Sequence, residues 1–207
     1  MRIQWTASAW ILTIAGTFLL LNVGCQKSTP PVTGDVSEQD ASNVSIVEGE
    51  TPSEEQKQVM IEAKDALFQT LSGRLMEAMG SQGPAGAITV CQKEAKQIAT
   101  EVGEQHGVKI GRTGVRLRNA KNLPPSWAKA MTESKVSTPQ FVSLTNGHAA
   151  ALLPIRLKSQ CLMCHGPTEQ IAPVISDQLT KLYPNDQATG FRENELRGWF
   201  WVETPSS

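Results

Sequence analysis

Charge of either sign is nearly absent on balance in this chain of 207 residues, where 19 Lys and Arg face 20 Asp and Glu. A surface so close to neutral gives no electrostatic footprint for nucleic acid. Apolar runs of membrane-spanning length are missing as well. The longest, Ala7 to Leu21, is interrupted by Ser8, Thr13, Gly16 and Thr17; it is short for a span but right for the apolar region of an export signal. Cysteine and histidine are scarce, at four and three residues, and neither occurs beyond His165. A zinc site built from the pair Cys161 and Cys164 would therefore need distant ligands. Strand–helix–strand patterning around that pair is also lacking, which removes the setting of a thioredoxin-like dithiol.

What is present is concentrated in five residues. Cys161-Leu162-Met163-Cys164-His165 is the pattern by which a chain takes a haem through two thioethers and ligates its iron with the adjacent imidazole. Random order at this composition would produce the pattern in roughly one chain in a thousand. A dithiol/disulfide centre and half of a zinc site are the chemical alternatives.

The N-terminus points to export. Arg2 is the one charged residue before the apolar run, which stops at Leu21-Asn22-Val23-Gly24-Cys25. That ending resembles a bacterial lipoprotein signal, in which a small residue precedes the Cys that is lipidated after cleavage. Asn22 stands where such signals usually carry Leu, and Leu21 lies one position early. Residues 1–24 are thus expected to be a signal peptide and Cys25 a lipid anchor, with Gln26 after it favouring the outer membrane over the inner. The rest would face the periplasm, tethered to the membrane without spanning it. Residues 25–56 are rich in Ser, Thr, Pro, Glu, Asp and Gly and read as a flexible linker. The domain then occupies 57–207, a natural size for one hydrophobic core.

Within it, Ser53 and Gln56 form a capping box before Met60, Ala63, Leu67, Leu71, Leu75 and Met79 at helical spacing, with Gly80 as the stop. A second helix is predicted from about Pro84 to Val102, closed by Gly103, with Ile88, Cys91, Ala95 and Ile98 on its inner face. Strand signals follow at Val108 to Leu117, so that Arg112, Arg116 and Arg118 alternate along a basic strand. A short helix near Ser126 to Met131 brings Trp127 inward. Phe141 to Leu144, Asn146-Gly147 and Ala149 to Leu157 form the clearest hairpin, whose return strand leads into Cys161. A helix through Ile171, Ile175, Leu179 and Leu182 and a last strand over Arg197 to Val202 complete an α+β chain. Trp199 and Trp201 share one face of that strand and Phe200 the other, and all three read as core.

With the other three cysteines accounted for, Cys91 is left as a thiol facing inward. It is either a buried free cysteine or a metal ligand. His106, His148 and Met163 are the alternative ligands opposite His165; the two histidines read as loop and hairpin side chains, and Met163 lies between the two thioether positions.

Several segments match a known family in order and spacing. They are Pro84-Ala85 with Ala87 to Cys91, Val108 to Thr113, Arg116 to Asn119 with Asn122-Leu123-Pro124, Pro154-Ile155, Cys161 to Gly166, Tyr183 to Gly190, and Arg197-Gly198. Over roughly Met60 to Glu203 the chain resembles a family of c-type haem-binding domains with a PAS-like antiparallel sheet, flanking helices and a long N-terminal helix, typified by a cyanobacterial haem c protein. Asn194 replaces a Gly of the family pattern at a turn, where Asn tolerates left-handed backbone angles. The resemblance implies one covalent haem c, with His165 on one side of the iron and the cysteine matching Cys91 on the other. Arg112 and Arg116 are expected to meet the cofactor, through its propionates.

Such a centre, with a thiolate stabilising the ferric state, suits redox sensing or electron transfer. A sensor of carbon monoxide or nitric oxide, in which Cys91 leaves on reduction, is the alternative. A peroxidase would need an open distal site with an acid/base and a charge stabiliser, and nothing in the sequence identifies a substrate. No output segment follows the domain, so a signal or electron would pass to a separate redox or signalling partner. The long first helix is expected to offer a surface for a homodimer.

Overall fold

Ser53 fixes the start of the first helix. Its Oγ accepts from the Gln56 amide at 3.2 Å while Gln56 Oε1 accepts from the Ser53 amide at 3.0 Å, the reciprocal box expected from the sequence. The computed structural model describes residues 44–205. The leader 1–24, Cys25 and the linker as far as residue 43 lie outside the described residues. Among the described residues no helix is long and apolar enough to cross a membrane.

Helix α1 (Glu54–Lys93) buries Met60, Ala63 and Leu67 on one face. The stop expected at Gly80 falls instead at Gly83, which takes φ 73° and ψ −178° in the middle of the helix. Pro84, with no amide proton to donate, then opens a second arm of α1 that carries Cys91. Nor does one helix continue to Val102. The second arm ends at Lys93, and α2 (Ala95–His106) follows, closed by Gly107 in the left-handed region at φ 65°. Gly103, expected as the stop, is buried inside α2. A Cβ there would lie 2.7 Å from the Val108 carbonyl oxygen, so glycine is needed where the chain returns close against the helix.

Strand β1 (Lys109–Gly114) follows, then a long loop, a 3₁₀ turn at Ser126–Ala128 and α3 (Lys129–Glu133). Arg112 alone of the three arginines is on the strand; Arg116 and Arg118 lie in the loop after it, past the last paired residue Gly114 and the Val115 amide, which donates to the Arg197 carbonyl at 3.1 Å. The hairpin forms as predicted from β2 (Gln140–Ser143) and β3 (Ala149–Arg156). A 3₁₀ turn at Ser159–Cys161, α4 (Leu162–His165), α5 (Pro173–Leu182) and β4 (Leu196–Thr204) complete the chain. The four strands pair antiparallel in the order β1-β4-β3-β2, giving the expected α+β fold.

Alternation along the strands splits the core in two. Ala149, Ala151, Leu153, Phe200 and Val202 face Met60, Leu67, Ile98 and Val102 of the helices. Ala150, Leu152 and Trp199 face Trp127 and Leu144 on the other side. The indole N–H groups there are satisfied, Trp199 Nε1 donating to the Val136 carbonyl and Trp127 Nε1 to Glu203, each at 2.7 Å. Composition assigns residues 44–56 to the linker, yet Val44 to Val47 are seated on this second face. Ile46 bridges to Leu144, and the Val47 amide donates to the Ser143 carbonyl at 2.9 Å.

Candidate functional site

The end of β3 hands the chain to a single helical turn. Cys161 has right-handed helical angles and α4 continues them, so Cys161, Cys164 and His165 share a face at spacings of three and four. Gly166 ends the turn in an extended conformation, where a Cβ would lie 2.5 Å from the Leu162 carbonyl oxygen.

A second segment, Tyr183 to Phe191, is laced to this turn by main-chain hydrogen bonds. The Phe191 amide donates to the His165 carbonyl at 2.9 Å and the Gly190 amide to the Gly166 carbonyl at 2.7 Å. Gly190 and Asn194 both adopt positive φ, 74° and 63°, so the Asn at the family's glycine position takes the left-handed angles expected of it. His165 Nδ1 lies 2.6 Å from the Ala188 carbonyl oxygen. A carbonyl only accepts, so Nδ1 carries the proton and Nε2 keeps its lone pair. Burial first, then the charges of Arg118 and Arg197, push the imidazole well below its ordinary value and leave it neutral at pH 7.

Arg118 and Asp186 hold the two segments together. Arg118 Nε donates to Asp186 Oδ2 at 2.9 Å, and its Nη2 donates to the Cys164 carbonyl at 2.5 Å. Asp186 Oδ1 accepts from the Ala188 amide at 2.8 Å. Arg118 is therefore joined to His165 through Asp186 and the main chain of Ala188. The ion pair is about nine-tenths buried, with side-chain exposures of 11% and 10%. At that depth it is screened far less than a surface pair.

Cys91 reaches the same region from α1. Gln92 Nε2 donates to the Leu182 carbonyl and Gln178 Nε2 to Thr89 Oγ1, both at 3.1 Å, so α5 is fastened on either side of it. Ile88, one turn earlier, packs with Ile175, Leu179 and Tyr183, and Cys164 lies against this cluster. Burial pushes the Cys91 thiol up while Arg112 and Arg118 pull it down. Burial raises the Cys164 thiol too, again opposed by Arg118. Tyr183 is pushed up to about 12 by burial and then by Cys91, so its hydroxyl stays protonated. All three cysteines among the described residues are free thiols.

The arginines divide by task. Arg118 is committed to Asp186 and the main chain. Burial pulls Arg112 below its ordinary value, opposed by the charges of Cys91 and Tyr183. Arg116 stacks over Phe191 at 3.9 Å, and its Nε and Nη2 are buried without a hydrogen-bond partner. Asp186, Phe191 and Arg197 belong to this site without having been singled out as site residues from the sequence. The signal available for Asp186 and Arg197 was their place in the matching segments; Phe191 lies just past one of them. His106 closes α2 and His148 sits at the β2–β3 turn. Among the described residues no three His, Cys, Asp or Glu side chains gather as a metal-ion cluster.

A cavity of about 170 Å³, lined by Ile171, Leu179, Tyr183 and Asp186, adjoins this network. A larger groove of about 500 Å³ between α2 and β1 is lined by Ala99, Gly103, Ile110 and Trp201 among others, with no Cys, His or Arg. The smaller space is lined by no Cys, His or Arg either, and it touches the network only through Tyr183 and Asp186.

Known proteins bear on this arrangement. The chain has 20% sequence identity and a TM-score of 0.56 to a protein described as the cyanobacterial heme-protein Tll0287, known from its crystal structure, with 74% of this chain and 97% of that one covered. At that identity the likeness is one of fold. No curated protein matches the chain. The model of the Tll0287-like family matches residues 44–205, the whole of the described body, and the chain belongs to that family.

Proposed function

We propose that this chain is an exported, redox-active haem protein holding one haem c by thioethers from Cys161 and Cys164, with His165 as one iron ligand and Cys91 as the other. The observation that carries the reading is the His165 hydrogen bond to the Ala188 carbonyl. It spends Nδ1 and leaves Nε2 free for a metal, on the same helical turn as two free thiols. The donor set fits the group. Besides imidazole and thiols, buried guanidinium N–H groups without partners suit a cofactor that bears carboxylates. Arg112 and Arg116 are the candidates for that contact, since Arg118 is engaged elsewhere. The related crystal structure, titled a heme-protein, supports the same class of cofactor.

When bound, haem supplies a one-electron ferric/ferrous couple, which a thiolate ligand shifts toward ferric. The protein holds His165 neutral and fixed in one tautomer, presents Cys91 from an arm fastened to α5, and covers that side with Ile88, Ile175, Leu179 and Tyr183. Redox sensing or electron transfer to a separate partner follows from such a centre. In this reading residues 1–24 are the export leader, Cys25 carries the lipid, and the domain faces the periplasm from the outer membrane.

The test is the mass and colour of the natively matured chain. One haem per chain by pyridine haemochrome and intact mass is expected, with covalent attachment lost when both Cys161 and Cys164 are replaced by Ala. A colourless chain weighing only polypeptide and lipid would overturn the reading. A second reading, a sensor of carbon monoxide or nitric oxide, draws on the burial that raises the Cys91 thiol, because a released thiol would stay protonated. Carbon monoxide that displaces Cys91 in the reduced protein favours it; unchanged absorption bands favour electron transfer.

A further inference from the structure

The guanidinium groups of Arg116 and Arg197 both lie over the Phe191 ring, Arg112 and Arg118 add positive charge that acts on Arg197, and among the described residues Asp186 is the one carboxylate that opposes them there. That carboxylate is already taken by Arg118 and the Ala188 amide. Charge of one sign is therefore gathered at a half-buried place without its counter-ion, which is costly unless an anion completes it.

Arg116 marks where the anion belongs. Its guanidinium carbon is 3.9 Å from the centroid of the Phe191 ring, a cation–π contact. Its Nε and Nη2 are buried with no hydrogen-bond partner among the described residues. Nε and one Nη are the adjacent donors with which a guanidinium forks a carboxylate. Arg197 also lies over the Phe191 ring, at 5.5 Å, and is held there by donating from Nη1 to the Arg116 carbonyl at 2.9 Å. Gly114 makes the room: a Cβ at that position would lie 2.4 Å from Arg197 Nη1. Phe191 is fully buried, and its ring stands edge-on to His165 with centroids 6.4 Å apart, so this pair of cations is one ring away from the imidazole.

We propose that Arg116 and Arg197, seated on Phe191, form a carboxylate-binding site whose occupant is a propionate of the haem. This rests on the haem reading and narrows it. Arg116 keeps the role expected from the sequence, and Arg197 joins it.

The test separates the carboxylate from the rest of the cofactor. In the full-length chain with Cys161→Ala and Cys164→Ala, haem is held without covalent bonds and its affinity can be measured. Ferric haem and its dimethyl ester, which lacks the negative charges, are titrated against this parent and against the same chain with Arg116→Gln or Arg197→Gln. The parent is expected to bind haem at least about tenfold more tightly than the ester, the scale of one charge-assisted contact. Each Gln variant should lose most of that preference while binding the ester as the parent does, and Arg116→Lys should recover part of it. Equal affinity for haem and ester in the parent, or a preference untouched by both Gln variants, overturns the carboxylate site and leaves the haem reading standing. Failure of the parent to bind either compound moves the decision to the matured holoprotein, read by the propionate bending band in resonance Raman. A shift of that band in Arg116→Gln supports the site, and an unmoved band overturns it. A colourless matured chain overturns the site and the haem reading together.

Discussion

The helix-covered face of the sheet and the loop-built site beside it are held by different forces. Between α1, α2 and the sheet, Met60, Leu67, Ile98, Leu153, Phe200 and Val202 form a dry apolar layer that needs no polar partner. Around His165 the holding is polar and specific: an ion pair and hydrogen bonds to the carbonyls of Leu117, Cys164, His165, Gly166 and Ala188 tie residues 117–118, 164–166 and 183–191 together. The first region tolerates apolar exchanges that conserve volume. The second depends on named atoms, and its burial makes each unmade bond expensive. Stability and ligand geometry are thus assigned to separate parts of one domain and should fail separately.

Phe200→Ala should give the largest effect on stability. A buried phenyl ring is lost from the helix-covered layer, at about 3–5 kcal/mol. Urea unfolding reads the loss, while the absorption spectrum of the folded holoprotein should be unchanged. If spectrum and stability move together, the two regions are not separable. Asp186→Ala tests the other side. It leaves Arg118 buried without its partner, costing about 3 kcal/mol, and frees the Ala188 segment, so electron paramagnetic resonance of the ferric holoprotein should broaden or shift. Asp186→Asn, which can still accept from the Ala188 amide, should restore much of the signal and less of the stability.

Cys91→Ala removes one side chain from a packed arm and should cost little stability. The haem should remain, with its low-spin ferric signal and sulfur-to-iron charge-transfer band gone. Survival of that band would reassign the ligand. The smallest effect is set by pH on chain that has not taken up haem. His165 has its folded value depressed, so between about 6.5 and that lower value the unfolded chain binds more protons than the folded one. Stability should therefore fall as pH drops below about 6.5, by no more than the slope of one proton. His165→Gln should flatten the profile.

The features legible in the sequence were those with a short-range cause. Cys161, Cys164 and His165 announce themselves within five residues, Asn146-Gly147 sits between two apolar runs, and Ser53 with Gln56 makes its box within one turn. Where two glycines competed to end a helix, local pattern chose the wrong one. Gly80 and Gly83 differ in the proline that follows, and Gly103 is retained inside α2 by a contact with Val108 that exists only in the folded chain. The partners of the site were hidden for the same reason. Arg118 and Asp186 are 68 residues apart and Arg116 and Arg197 are 81 apart, so no periodicity or spacing joins them. The arginines were visible as a basic series but not their division of labour, because that follows from contacts with Asp186 and Phe191, far along the chain.

His165 takes its tautomer from a peptide carbonyl, and a peptide carbonyl is present whichever amino acid occupies position 188. Point mutation can therefore crowd or shift that acceptor but cannot delete it, unlike a carboxylate or amide side chain. Ala188 is itself fully enclosed, so a bulkier residue would have to push the whole 183–191 segment aside. The imidazole's orientation is inherited from the path of the backbone, and chains that keep this path should keep it even where their side chains have diverged.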